Sequence, residues 1–287
     1  MKETGKMGEM CNRRSFLLGA AAAVCAGCES VRVAKDGDRS AAGGSVRIAH
    51  CGDPQLGFPG KPDAYKADLA RLEREIEIVN ELKPDLCFIA GDMTHKAEEL
   101  TRDWPRLIKL FKVPVVVTPG NHDMGKSITR ENVERFRKVF GYDYTSTKVG
   151  KWRFISGNST YWYKTEEKEL KDAYEKWFAA ELSSAKAKDE PIILASHISP
   201  FMRWINEGDD YENCPKSFRK KRLDLYVGSG VKFHLCGHTH RMVARAYGGM
   251  TILNPETTCR NFDMLPFGFR MFTVRDDGGY AWDFHAV

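Results

Sequence analysis

The sequence lacks the charge that a nucleic-acid-binding surface requires. Its 287 residues carry a formal net charge of +5. The first 27 residues hold four cations and two acids, so the rest of the chain carries +3. No long basic stripe is present, and a nucleic-acid partner is therefore not expected. The sequence also lacks the repeats and biased composition of fibrous or disordered proteins. Its 42% hydrophobic content is enough for one large domain or two small ones.

The cysteines that follow the N-terminal segment do not have the spacing of a metal site. The cysteines beyond residue 28 are Cys51, Cys87, Cys214, Cys236 and Cys259. Their odd number excludes a complete disulfide framework. Cys51, Cys87 and Cys236 lie within apolar runs, which predicts small, buried side chains.

The apolar segment near the N-terminus is too short to cross a bilayer as a helix of the mature protein. Arg13 and Arg14 precede about 12 apolar or small residues, so residues 1–28 are predicted to be an export signal. Residues 13–17 resemble the twin-arginine motif. The segment ends in "CAGC", which resembles a lipoprotein processing box and leaves open whether Cys28 carries a lipid anchor. An untranslocated tail is the alternative. We expect a periplasmic or membrane-anchored protein that faces outside the cytoplasm.

The folded domain is predicted to cover residues 46–287. Residues 29–45 contain few large apolar groups and end in Gly-Gly-Ser, the composition of a flexible linker. In the first half, the apolar runs "SVRIAHC", "DLCFIAG" and "VPVVVTPG" alternate with stretches of helical periodicity. This alternation predicts parallel strands joined by helices.

Strands outnumber helices in the second half of the domain. The predicted strands are "KWRFISGNST", "PIILASH", "VKFHLCGH", "MTILNPE" and a C-terminal hairpin that turns at residues 276–279. We therefore predict an α/β fold, a four-layer α/β/β/α sandwich of two mixed sheets. Residues 201–225 are charged and aromatic by turns and are predicted to form a cap insert.

Several predicted strands end in a cluster of polar side chains. These clusters contain Asp53, Asp92, Asn121 with His122 and Asp123, His197, and His238 with His240. The carboxyl ends of strands in open α/β sheets meet in one crevice, so these residues can come together in space. Carboxylate oxygens with imidazole nitrogens suit Zn, Fe or Mn, and the set is too large for one tetrahedral ion. We therefore predict a centre of two metal ions whose identity stays open.

In this order, the motifs Asp53-x-Gln55, Gly91-Asp92, "GNHD", His197 and "GHTH" resemble the signature of the calcineurin-like metallophosphoesterase family. The resemblance implies that Asp92 bridges two ions. The first ion would also bind Asp53, Gln55 and His240, and the second would bind Asn121, His197 and His238. Most of the family carries histidine where this chain has Gln55. A neutral amide oxygen is a weaker, harder ligand, so the first site is expected to hold its ion less tightly or to prefer harder ions.

The same resemblance implies hydrolysis of a phosphomonoester or phosphodiester. Two cations lower the pKa of a shared water, and the resulting hydroxide attacks phosphorus. His122 would protonate the departing alkoxide or stabilise its charge. His95 stands where many members carry an acid that orients this histidine. We expect Asp123 to hold the turn through backbone hydrogen bonds. His50 and His234 lie within strand runs and are expected to be core residues or to support ligands.

Substrate contacts are the least defined part of the expected site. Arg203 in the insert, Tyr161 after a strand, and His95 are the candidates. An exported enzyme is expected to act on small phosphorylated compounds. Two alternatives remain: a nuclease, which the mild charge disfavours, and a non-catalytic binding lipoprotein that keeps the fold.

Overall fold

The computed structural model describes residues 44–58, 62–125, 127–162, 165 and 167–287. The predictions for residues 1–28, including Cys28, and for most of 29–45 lie outside the described residues. The described strands are β1 (Ser45–Cys51), β2 (Leu86–Ile89), β3 (Val115–Val117), β4 (Thr145–Val149), β5 (Trp152–Ser156), β6 (Ile192–Ala195), β7 (Val231–Leu235), β8 (Val243–Tyr247), β9 (Met250–Asn254), β10 (Gly268–Arg275) and β11 (Tyr280–Ala286). The described α-helices are α1 (Pro62–Leu82), α2 (Leu100–Leu107), α3 (Asn121–Met124), α4 (Arg130–Phe140), α5 (Lys168–Ala187) and α6 (Lys216–Gly228).

These strands form two mixed sheets. The first has the order β11-β10-β1-β2-β3, in which β1, β2 and β3 are parallel and the hairpin β10–β11 adds antiparallel strands beside β1. The second has the order β4-β5-β6-β7-β9-β8, with a parallel centre from β5 to β9 and an antiparallel strand at each edge.

Alternation along the strands divides the apolar side chains between two buried clusters. Ile48 of β1 and Phe88 of β2 belong to a cluster that also contains Phe154 and Leu235 of the second sheet, so the two sheets pack face to face. Their neighbours Ala49 and Cys87 point the other way and join a cluster that includes Leu72, Trp104 and Phe136 from the helices. Successive strand residues point to opposite faces, and this produces the predicted layers of helix, sheet, sheet and helix.

The predicted cap insert at 201–225 is too long. Residues 216–228 form α6, which connects the parallel strands β6 and β7 and buries Leu223 and Tyr226 in the core. The sequence "KSFRKKRLDLYVG" is so rich in charge that its short apolar stripe does not stand out. Only residues 201–215 are irregular, and this segment is the insert. The sequence did not predict α4 or the edge strands β4 and β8.

Within the described residues, no helix combines the length and the apolar character that crossing a bilayer requires.

Candidate metal centre

The predicted donor residues lie at the carboxyl ends of parallel strands from both sheets. Asp53 follows β1, Asp92 follows β2, and Asn121 and His122 follow β3. His197 follows β6 in the second sheet, and His238 and His240 follow β7. Asp53, Asp92, His197, His238 and His240 are buried, whereas Asn121 and His122 are partly exposed. Face-to-face packing of the sheets therefore brings together residues from distant parts of the sequence.

One group of donors has the composition predicted for the second ion. One ligand atom from each of Asp92, His197 and His238 lies within 4.8 Å of the other two. His197 Nε2 is 3.5 Å from Asp92 Oδ2 and 3.0 Å from Asn121 Oδ1. A carboxylate, an amide oxygen and two imidazoles thus converge on one point.

A second group lies around Asp53. His240 Nε2 is 3.8 Å from Asp53 Oδ1, and both oxygens of Asp53 accept the backbone N–H of His238, at 3.0 and 2.9 Å. Gln55 is buried just beyond Asp53, and its backbone N–H donates to the Asp92 carbonyl at 2.7 Å. Its side-chain oxygen is 4.0 Å from Cys259 Sγ. Gln55 as a ligand of the first ion stays a prediction.

Charge balance shows that this donor set suits cations. Asp53 and Asp92 are each 1% exposed, and within the described part of the chain only histidines form ion pairs with them. Buried carboxylates without a Lys or Arg partner are costly unless a cation compensates them. Hard oxygens with imidazole nitrogens form a set that Mn, Fe or Zn accepts.

Each imidazole of the site is held by a backbone carbonyl. A ring N–H donates from His122 Nδ1 to His95, from His197 Nδ1 to Ala90, from His238 Nε2 to Tyr211, and from His240 Nδ1 to Arg260, at 2.6–2.8 Å. A neutral imidazole that donates from one nitrogen keeps a lone pair on the other. This arrangement is typical of metal-binding histidines, whose second nitrogen is fixed by an outer partner.

Glycines allow the strand ends to approach so closely. A Cβ on Gly120 would lie 2.0 Å from Asp92 Oδ1, and one on Gly237 would lie 2.8 Å from Asp53 Oδ2. Asp92, His238 and His240 also adopt positive φ angles of 50°, 73° and 49°. Such angles are strained for residues with a Cβ and cluster at functional sites.

Burial and mutual contact shift the pKa values of the central pair. Burial would raise the pKa of Asp92, but His197 outweighs it and lowers that pKa below its usual range. Burial opposes the charged form of His197, but Asp92 and Asp53 raise its pKa to about 9. Burial also raises the pKa of Asp53. The two acids therefore sit in unlike environments before any cation is present.

Asp123 holds the turn, as expected. Its Oδ1 accepts the Met93 N–H at 2.9 Å, and its Oδ2 accepts the Gly120 N–H at 2.8 Å. Burial and the charge of Asp92 raise its pKa to about 8. Asp123 therefore fixes the loop that presents Asn121 and His122.

His95 contacts His122 in two ways. Its carbonyl accepts the Nδ1–H of His122 at 2.8 Å, and the two rings stack with centroids 4.8 Å apart. Burial and the neighbouring charge of His122 lower the pKa of His95. The backbone of His95 therefore orients His122, a role that the resemblance attributes to an acid in many relatives.

Tyr161 lies in the core, so the prediction that it contacts the substrate is wrong. It is 0% exposed, its hydroxyl donates to Asp143 at 3.2 Å, and its ring packs on Tyr174. Arg203 is exposed on the insert, where its backbone N–H donates to Glu207. Within the described residues, the Arg203 side chain forms no polar contact with the predicted ligands.

The insert contributes a residue that the sequence did not reveal. The Tyr211 carbonyl accepts the His238 Nε2–H at 2.7 Å, and its phenol oxygen accepts a hydrogen bond from Asn121 Nδ2 at 2.7 Å. Arg219 of α6 is 1% exposed and donates to the carbonyls of Ile205, Glu207 and Cys214. The insert is thereby held against two predicted ligands of the second ion.

His50, His234 and the cysteines of the described residues behave as core residues. His50 Nε2 lies 2.9 Å from the Cys236 carbonyl, and His234 Nε2 lies 2.8 Å from Ser196 Oγ. Burial lowers the pKa of each to about 3. All five cysteines in the described part of the chain are free and buried, as predicted for Cys51, Cys87 and Cys236.

Two facing mixed sheets whose strands end in carboxylate, amide and imidazole donors define an α/β/β/α protein with a candidate metal centre. The family model for calcineurin-like phosphoesterases matches residues 46–242, so the chain belongs to that family. This confirms the predicted family and the expectation of a hydrolase that acts on ester bonds.

Sequence similarity to known proteins is consistent with this family. The chain is similar to serine/threonine-protein phosphatase CPPED1 of Rattus norvegicus, with 32% identity over 203 residues that cover 67% of this chain and 65% of the rat protein. The matched region thus falls just short of two thirds of that relative's length. A protein of Arcobacter nitrofigilis named "Probable glycerophosphodiester phosphodiesterase GpdQ" is 27% identical over 219 residues, 72% of this chain and 76% of that one.

The fold also matches solved structures. A dimetal phosphatase from Danio rerio superposes with a TM-score of 0.55 and 14% identity, covering 84% of this chain and 99% of that one. At this identity the likeness concerns the fold alone, and it agrees with the two facing sheets described above.

Proposed function

We propose that this protein is a metal-dependent phosphoesterase that hydrolyses a phosphomonoester or a phosphodiester. The observation that carries the proposal is the convergence of Asp92, Asn121, His197 and His238 beside the group of Asp53 and His240. Two bound cations would lower the pKa of a water between them and neutralise charge on the phosphate oxygens.

Different residues of the chain have the metal-binding and the proton-donating roles in this proposal. Asp92 accepts the His122 backbone N–H at Oδ1, at 2.8 Å, which leaves Oδ2 for the ions. Asp53, Gln55 and His240 would hold the first ion, and Asn121, His197 and His238 would hold the second. His122 is tied at Nδ1 to the His95 carbonyl, so Nε2 is the nitrogen that can give a proton to the departing alkoxide.

The substrate is a small phosphorylated compound. The names of the two relatives, a protein phosphatase and a glycerophosphodiester phosphodiesterase, support both a monoester and a diester. Export would separate the enzyme from cytoplasmic phosphoproteins, and this favours small substrates.

The decisive experiment assays the purified chain, supplied with Mn, Fe or Zn, on p-nitrophenyl phosphate and on the bis ester. We expect turnover of at least one ester, its loss in Asp92→Asn, and a fall of about a hundredfold or more in His122→Ala. Elemental analysis should find two ions per chain in the native protein. Two ions without turnover of any phosphoester would instead identify a binding protein that keeps the fold.

The site of action is a second part of the proposal. Arg13 and Arg14 ahead of a short apolar segment support twin-arginine export, and Cys28 is the candidate lipid anchor. A reporter fused after residue 45 should appear outside the cytoplasm and should be retained when both arginines are lysine. Continued export of that double variant would contradict the route.

A further inference from the structure

Phe58 lies between His95, which stacks on the proposed proton donor His122, and His240, a proposed ligand of the first ion. Its ring centroid is 5.2 Å from that of His95, which stacks on His122, and 5.7 Å from that of His240. His122 is the proposed proton donor to the leaving alcohol, and His240 is a proposed ligand of the first ion. The alcohol portion of a bound ester would therefore leave the site beside the Phe58 ring.

Phe262 extends this apolar surface outward. Its ring is 6.3 Å from Phe58 and 5.1 Å from His240, and its residue is 42% exposed. The described residues include nine exposed large apolar side chains, and Met242, Phe262, Met264 and Leu265 account for four of them. The Met242 N–H donates to the Asp263 carboxylate, which joins Met242 to the segment that holds the other three. A cluster of exposed apolar groups beside a site marks a contact surface.

Two guanidinium groups flank Phe262. The Arg241 and Arg260 carbons lie 5.4 and 5.6 Å from the ring centroid, within the range of a cation–π contact. Arg241 is paired with Glu212 of the insert. Arg260 is exposed, and among the described residues it has no carboxylate partner. Its planar guanidinium is therefore available to a ligand that lies against Phe262.

We propose that Phe58, Phe262 and Arg260 form a subsite for the alcohol portion of the substrate, and that this portion carries a planar aromatic ring. The inference rests on the proposed function and narrows its substrate class. Aromatic faces and a free guanidinium bind flat rings by stacking, whereas an aliphatic alcohol would gain only part of this contact. Nucleoside monophosphates and phosphates of other aromatic alcohols share this chemistry.

A pair of esters that differ only in the ring tests the inference. Adenosine 5′-monophosphate and ribose 5-phosphate both release a primary alkoxide, so the chemical step is alike and the base is the difference. We expect the metal-loaded full chain to hydrolyse the nucleotide with a kcat/KM about tenfold higher or more. Benzyl phosphate, compared with cyclohexylmethyl phosphate, then shows whether a ring without a sugar is enough, because both release a primary alkoxide and only one carries an aromatic ring.

Matched variants locate the preference. Phe262→Leu keeps an apolar side chain but removes the ring, and should lower the ratio of kcat/KM for the nucleotide to kcat/KM for ribose 5-phosphate about five- to tenfold. Tyr280→Leu is the control, because Tyr280 is 43% exposed on β11. It should change neither value. Arg260→Gln should produce part of the effect of Phe262→Leu.

Binding without turnover separates this inference from the proposed function. Equilibrium dialysis of the metal-loaded chain should show adenosine bound at least tenfold more tightly than ribose, with the difference lost in Phe262→Leu. Hydrolysis of both esters with equal kcat/KM, or a preference that survives Phe262→Leu, overturns the subsite and leaves the phosphoesterase intact. Tight adenosine binding by a chain that hydrolyses neither these monoesters nor bis(p-nitrophenyl) phosphate supports the subsite and counts against the phosphoesterase.

Discussion

The backbone carbonyl of Tyr211 accepts the Nε2–H of His238, with 2.7 Å between the two atoms. The same residue accepts a hydrogen bond from Asn121 through its phenol oxygen. One residue of an irregular insert thus touches two predicted ligands of the second ion. The insert therefore contacts the candidate metal centre directly and is not a separate cover over it.

Tyr211→Phe removes the phenol contact and keeps the carbonyl contact. We expect two bound ions, as in the native chain, and a kcat/KM lowered about two- to tenfold, because one hydrogen bond that orients Asn121 is lost. Tyr247→Phe is the control, since its hydroxyl donates to Asp224 on α6 instead. Steady-state kinetics with elemental analysis measures both, and an unchanged kcat/KM in Tyr211→Phe would show that the phenol is dispensable.

Arg219→Met tests how the insert is held in place. The buried guanidinium satisfies three loop carbonyls, so we expect a loss of about 3 kcal/mol in the free energy of unfolding. Because the loop carries Tyr211, the dissociation constant of the second ion should rise about tenfold, whereas the first ion should bind as before. Lys220→Met changes an exposed cation of the same helix and should alter neither quantity. Calorimetric metal titration and chemical denaturation provide the readouts.

Gln55→His restores the residue that the family resemblance favours at this position. An imidazole is a better ligand than an amide oxygen for Zn, so we expect the first site to bind Zn about tenfold more tightly and to discriminate more strongly against Mn. Competitive titration with a metal indicator measures both affinities. Identical affinities before and after the substitution would show that Gln55 does not bind metal.

Glu75→Gln tests a buried acid on α1, outside the metal centre. Burial raises the pKa of Glu75 from its ordinary value of 4.5 to about 7. An acid with a raised folded-state pKa has no effect on stability below its unfolded-state pKa. It lowers stability as the pH rises from there to the folded-state pKa, and costs about 3 kcal/mol above that point. Glu75→Gln should therefore be more stable than the native chain at about pH 8, with a difference that disappears near the ordinary pKa of a glutamate.

Denaturant unfolding of both proteins at about pH 4.5, 6 and 8 measures this dependence. Glu77→Gln is the control, because Glu77 lies on the exposed side of the same helix and pairs with Arg74. It should show no comparable pH trend. A constant difference between Glu75→Gln and the native chain at all three pH values would mean that folding does not raise the pKa of Glu75.

The sequence was most informative where the signal is local. A polar residue directly after an apolar run predicted Asp53, Asp92, His197 and His238 correctly as neighbours, because parallel strands deliver their carboxyl ends to one place. Tyr161 also follows a strand, yet its hydroxyl is bound to Asp143 in the core. Sequence alone does not tell on which side of the sheet a residue beyond the strand will lie.

The contribution of the insert depends on contacts between distant positions. Tyr211 meets Asn121 across 90 residues and His238 across 27, and α6 hides its few apolar residues among lysines and arginines. The hydrophobic periodicity of the sequence does not reveal such contacts, because they form only after α6 has packed against the core. The same holds for Phe58 and Phe262, which approach each other from opposite ends of the domain sequence.

Because Asp53 and Asp92 come from the first sheet and His197 and His238 from the second, bound ions would act as a cross-link between the two halves of the sandwich. A ligand that binds only the folded chain adds about 4 kcal/mol to the free energy of unfolding at a thousand times its dissociation constant. In a cell short of metal, the protein would then unfold and be degraded more readily, so its abundance would follow the metal supply.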